Sequence, residues 1–295
     1  MPVSFADIAG GFLAPVAFAC VVMVVLHRVL PEGIAHRVAG TVALVGGFTV
    51  GYALLGLGQW SPKFFWHWLP YVVLATLPVG PLLAGVGRQR VAGWVLMLGV
   101  VLWGGWLLVP TWEHLEPSRA THMVVWMPAV IAPASLLAPW DGNRHENKAP
   151  PERLPATLFV TILTATMFFA VAIIFLSGSL RFSQLAGAAF AAMLGVMLAV
   201  VLDRKGYGSS GIVAPFSILL GGLLLIARVD SHSSVPLASY VLLPLAPLAL
   251  WVAVVKPICK LQTWRRWLAL CSLPIALLLV SLIMAMVAEF GAEQY

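Results

Sequence analysis

Apolar residues in this chain come in long unbroken runs rather than in the alternation of a half-buried strand or the single stripe of a surface helix. A helix needs about 20 residues to cross a hydrocarbon layer about 30 Å thick, and ten runs approach that length. The first five are Gly11–Leu30, Val38–Gly58, Leu69–Gly87, Val91–Pro110 and His122–Ala138. The second five are Ala156–Ser177, Gln184–Leu202, Gly211–Val229, Leu237–Val255 and Trp267–Ala288. Strands of a membrane barrel would alternate polar and apolar positions, and these do not. The pattern therefore predicts an all-α fold, a polytopic transmembrane helix bundle of about ten spans.

Composition agrees. Hydrophobic residues make up 61% of the 295 and charged residues 9%, against about 45–50% and about 25% in soluble domains. So few charges cannot coat a water-facing surface, which excludes a soluble enzyme, a nucleic-acid-binding domain and a disordered chain. Cys20, Cys259 and Cys271 form no paired motif and read as free thiols in or beside apolar runs. The first seven residues carry an acid and no base, and the run behind them is too long for a cleaved leader.

The net charge of +6 comes from basic clusters between runs, which are read by the positive-inside rule. With the N-terminus outside, the inner loops hold Arg28, Arg37, Arg88, Arg90, Arg144, Lys148, Arg153, Arg204, Lys205, Lys256, Lys260, Arg265 and Arg266. Outside remain Lys63, Arg119, Arg181 and Arg228. The fifth run is short and contains Pro128 and Pro133; treating it as re-entrant would reverse this asymmetry. Ten spans with both termini outside, in a plasma (inner) membrane, is the expected layout. Trp60, Trp66, Trp68 and Trp112 flank outer helix ends and Trp140, Trp264 and Trp267 inner ones, as interfacial anchors do.

The most polar stretch, DGNRHENKAPPERLP, marks residues 141–155 as a cytoplasmic linker. It divides a first membrane half, 1–140, from a second, 156–295, with five spans each. Two runs share a Pro-x-x-Pro pattern ahead of a basic loop: Pro78 and Pro81 in the third, Pro244 and Pro247 in the ninth. Proline in a span removes a backbone hydrogen bond and frees a carbonyl, and paired broken helices build central sites in transporters. Chance in a proline-rich chain is the competing explanation. Gly47-x-x-x-Gly51, Gly104-Gly105 and Gly221-Gly222 predict close helix contacts.

No Asp, Glu, Lys, Arg or His lies near the centre of any run, which argues against a proton relay or a buried carboxylate site. The mid-run polar groups are hydroxyls. Thr157, Thr161 and Thr164 share one helix face and could line a mildly polar path, although such hydroxyls more often bond back to the preceding turn. Glu113, His114 and His122 form the best metal-ligand group, at a spacing that matches no established motif. Gly206-Tyr207-Gly208-Ser209-Ser210-Gly211 could cradle a phosphate at a helix start, or serve as a turn.

These residues support a carrier for a neutral or lipid-like solute, without a cofactor, an enzymatic role or a nucleic-acid partner. The alternative is a non-catalytic subunit or scaffold, which would require a membrane-protein partner or a second copy. An outer metal-binding protein or enzyme around His114 is the third reading. Membrane lipids are the expected partners in every case.

Overall fold

Each of the ten apolar runs contains helix, and no strand occurs among the described residues. The computed structural model describes residues 9–56, 61–141, 156–202, 211–230, 233–254 and 263–292. The linker, except Asp141, lies outside these residues, as do Trp60, His145, Gly206 to Ser210, His232 and Cys259. The same holds for the basic residues Arg144, Lys148, Arg153, Arg204, Lys205, Lys256 and Lys260.

Among the described residues, seven helices are long and apolar enough to cross a membrane. They are α1 (Ala9–Val29), α2 (Glu32–Leu54), α5 (Arg88–Leu108), α6 (Arg119–Asp141), α7 (Ala156–Leu176), α8 (Leu180–Leu202) and α11 (Thr263–Ala292). These helices are compatible with a multi-pass membrane protein. The fifth run, the shortest by pattern, is a 23-residue helix, α6. Its extra turn begins at Ser118, whose Oγ accepts the Thr121 backbone N–H at 3.4 Å in the manner of an N-cap. Arg119 anchors that turn by donating from Nη2 to the Trp106 carbonyl at 2.6 Å.

The other three runs are shorter or interrupted. The third holds a 3-10 turn, Phe65–Trp68, followed by α3 (Leu69–Leu74) and α4 (Val79–Leu83), with a break between them. Pro78 cannot donate to the Leu74 carbonyl, so the Leu77 N–H takes it at 3.0 Å in tighter 3-10 geometry. The ninth begins as α10 (Leu237–Leu245) and continues as a 3-10 segment, Ala246–Val254. There Pro247 cannot serve the Leu243 carbonyl, and the Ala246 N–H reaches both Leu242 and Leu243. Both Pro-x-x-Pro runs thus change helix type at their prolines. The eighth run is α9 (Val213–Val229), 17 residues long.

Helix α9 is the axis of the bundle. Of its residues only Leu225, Arg228 and Val229 escape full burial, as expected for a helix apolar all round. It contacts α2 through α8 and α10. By contrast α1, α5 and α11 turn rows of large apolar side chains outward, including Val21, Val25 and Val29 on α1 and Val91, Val95 and Leu102 on α5.

Glycine sets the closest approaches. A methyl group built on Gly47 would sit 2.9 Å from the Ala192 Cβ of α8, and one on Gly51 2.7 Å from the Ala188 Cβ. The Gly47-x-x-x-Gly51 face therefore packs within the chain, against α8 and Pro15 of α1. Around Trp126 of α6, Gly104 and Gly105 of α5 and Gly221 and Gly222 of α9 leave room for the indole. Its Nε1 donates to the Val101 carbonyl at 2.9 Å.

Helix ends meet in two sets. At one end, Arg181 and Phe182 at the start of α8 reach Trp66 ahead of α3. At that end too, Ser234 ahead of α10 donates to the Ala288 carbonyl near the end of α11, at 2.8 Å. At the other end, Arg37 of α2 donates to Gln89 of α5 at 3.1 Å. The Thr41 hydroxyl there donates to the Gly211 carbonyl at 2.7 Å, and the Trp251 indole to the Leu136 carbonyl at 2.8 Å.

Packing of this kind makes a specific demand on single methyl groups. Gly51→Ala is expected to destabilise the detergent-solubilised protein by about 1–3 kcal/mol through overpacking. Gly187→Ala on α8 meets nothing within 4 Å and should leave stability unchanged or raise it. Thermal unfolding of the two variants beside the parent measures the difference.

Candidate functional site

A cavity of about 310 Å³ lies between α6, α9 and α10, at the low end of the range of small-molecule sites, about 300–1,000 Å³. Small residues open it: Ala129 and Ala132 on α6 and Gly221 on α9, with the Trp126 ring as part of its wall. Pro244 and Leu245 line it where α10 gives way to 3-10 geometry. Pro128 and Pro133 also face it from α6, so the proline-rich stretches of two runs meet here.

The lining is graded. Its polar side chains are Thr121 and His122 in the first turn of α6, Arg228 in the last turn of α9, and Tyr240 near the start of α10. All four gather at one end. From there the walls are apolar, through Val125, Leu224 and Val241 down to Pro133 and Leu245. Val125, Leu237, Val241 and Leu245 are also exposed on the molecular surface, so the cavity is a groove that opens between α6 and α10 onto an apolar face.

Two contacts hold the polar rim. The Arg228 guanidinium lies 6.0 Å from the Tyr240 ring centroid, linking α9 to α10. His122 is buried and its Nδ1 is 3.2 Å from the Ser118 carbonyl. A carbonyl only accepts, so Nδ1 is the donor in this contact.

Among the residues singled out by sequence, Pro244 and His122 come together in this groove. Pro247 follows in the 3-10 segment. Pro78 caps α4 and Pro81 lies within it, and α4 packs on α2, α5 and α9, away from the groove. The threonine stripe lies elsewhere, on α7. Thr161 donates to the Thr157 carbonyl at 2.7 Å and Thr164 to the Val160 carbonyl at 2.8 Å, so both hydroxyls bond back along their own helix. Glu113 and His114 are exposed in the connection between α5 and α6. No three His, Cys, Asp or Glu side chains converge among the described residues.

Sequence reading gave no role to Trp126 or Tyr240, and it placed Arg228 at a span end. The available signal was Arg228 itself, one of four basic residues assigned to the outer side. Which helices its end adjoins is set by packing, and spacing along the chain does not encode it.

A second polar cluster sits at the same end of the bundle, ahead of α3. His67 is 4% exposed and accepts the Lys63 backbone N–H on Nδ1 at 3.1 Å. Trp66 and Phe64 meet its ring edge to face, with centroids at 4.0 and 5.3 Å. Arg181 of α8 stacks over the Trp66 indole at 5.2 Å. Burial first, then the positive charges of Arg181 and Lys63, push the His67 pKa below its ordinary value. The hydrogen bond from Lys63 acts in the same sense, because it requires an unprotonated Nδ1.

No family model, curated protein or solved structure matches the chain.

Because His67 titrates lower in the folded protein, the unfolded chain binds its proton first as pH falls. Stability should therefore decline as pH drops from the ordinary histidine pKa toward the lowered one. His67→Gln keeps an acceptor for Lys63 and cannot titrate in this range. Its melting temperature should fall less between pH 7 and pH 5 than that of the parent, and parallel curves would exclude His67 as the source.

Proposed function

We propose that this chain is a multi-pass integral membrane protein of ten crossings that carries a lipid-like solute through the groove between α6, α9 and α10. The observation that carries this reading is the graded lining: an apolar trough with its polar groups gathered at one end, open along one side to a surface that lipid would cover. A solute with a polar head and an apolar body fits such a site and could enter sideways from the bilayer. The groove also borders Pro244, where the ninth run changes helix type, and discontinuous helices typically form the binding sites of transporters.

Ten crossings are supported by length as well as by charge. Helix α9 spans about 25 Å, and the ninth run about 31 Å once its 3-10 part is counted at its longer rise. The helical path from Leu69 to Leu83 is about as long as α9. Each pair of helix ends in contact is also a pair that ten alternating crossings put on the same side. In this layout both termini are outside and the groove's polar rim faces outward. The chain acts in the plasma (inner) membrane with lipids as its partners, and performs no catalysis and uses no cofactor.

Orientation is tested with single cysteines in a background whose three native cysteines are replaced by alanine. Glu113→Cys should react with a membrane-impermeant thiol reagent on intact cells, and Gln89→Cys only after lysis. The opposite pattern would reverse the topology.

Carriage is tested in proteoliposomes with a fluorescent single-chain lipid. Ala132→Phe, which fills the groove, and Pro244→Ala, which restores a helix bond, should each slow transfer between leaflets several-fold while inserting normally. Transfer no faster than in protein-free vesicles would favour the non-catalytic subunit instead.

A further inference from the structure

We infer that the groove takes an acyl lipid with an anionic headgroup, the headgroup held at Arg228 and the chain running toward Pro133 and Leu245. The inference rests on the groove reading above and adds the charge of its occupant. Among the described residues that line the groove, Arg228 is the only Lys or Arg, and none is a carboxylate. Glu116 and Asp230 stand in the adjoining segments and do not line it.

Backbone charge points the same way. The rim gathers the starts of α6 and α10 and the end of α9. Helix starts carry partial positive charge and favour anions, while the partial negative charge at the end of α9 is offset by Arg228 in its last turn. Thr121 and Tyr240 add uncharged polar side chains to the same rim. Below the rim, Thr121 to Pro133 covers about 18 Å of helix with no further charged group among the described lining residues, a depth that suits an acyl chain. A zwitterionic headgroup would bring a cation to the same rim and gain less from it.

The inference is tested on the purified, delipidated full-length protein by native mass spectrometry. Equal amounts of dioleoyl-phosphatidylglycerol and dioleoyl-phosphatidylcholine are offered together. The parent should retain the anionic lipid preferentially. Arg228→Gln should lower that preference about tenfold, as expected on losing one charge-assisted contact, and Arg228→Lys should restore most of it. Ala132→Phe should lose both lipids. Val125→Trp, placed at the exposed edge, gives the same blockade if the buried change disturbs folding. If blocking the groove removes lipid while Arg228→Gln leaves the preference intact, the anionic headgroup is wrong and the groove stands. If neither blocking variant lowers lipid retention, both fail.

Discussion

Inside a hydrocarbon layer each backbone N–H and C=O must find its partner within the protein, because no water is present to take one. That constraint explains both the helices of this chain and the form of their interruptions. Where Pro78 and Pro247 remove donors, neighbouring N–H groups swing to the vacated carbonyls and the helix tightens to 3-10 geometry. At the second interruption, beside Pro244, the groove reaches its apolar depth.

Packing then decides which helices can meet. Hydrophobic attraction does little between helices already in lipid, so close contact depends on small residues. Glycine on α2 brings α1 and α8 against it, and four glycines on α5 and α9 accommodate the Trp126 indole. Trp126 in turn joins α6 to α5 through its hydrogen bond to Val101 and forms part of the groove wall. One bulky residue among small ones thus shapes the site from behind, while the alanines of α6 hold it open.

Charge is sparing and concentrated at the helix ends. At the end where α6 and α8 begin, Arg119, Arg181 and Arg228 each lie over an aromatic ring. Two of these contacts bridge neighbouring segments and leave the guanidinium at a polar edge. Arg228 differs from the others in bordering a cavity, and for that reason it carries the recognition proposed here. His67 is enclosed by the rings of Phe64 and Trp66, and Trp66 ties the opening of the third run to α8 on the same face.

The sequence by itself determined the all-helical class and the number of apolar runs. It marked prolines as places where a helix could break, of which Pro128 and Pro133 lie inside the unbroken α6. Those properties depend on local composition, chain length and the missing N–H of proline, all readable along the chain. The small-residue motifs were legible as contact sites too, but not the surfaces they touch. Only the tertiary structure decided that α9 lies at the centre, that Gly47 and Gly51 face α1 and α8, and that His122, Arg228, Tyr240 and Pro244 share one groove. The hydroxyls of Thr161 and Thr164, in sequence register on α7, each donate to a carbonyl one turn back. A lateral groove exists only where side chains from three distant segments fail to fill the space between them, and no periodicity within one segment records that.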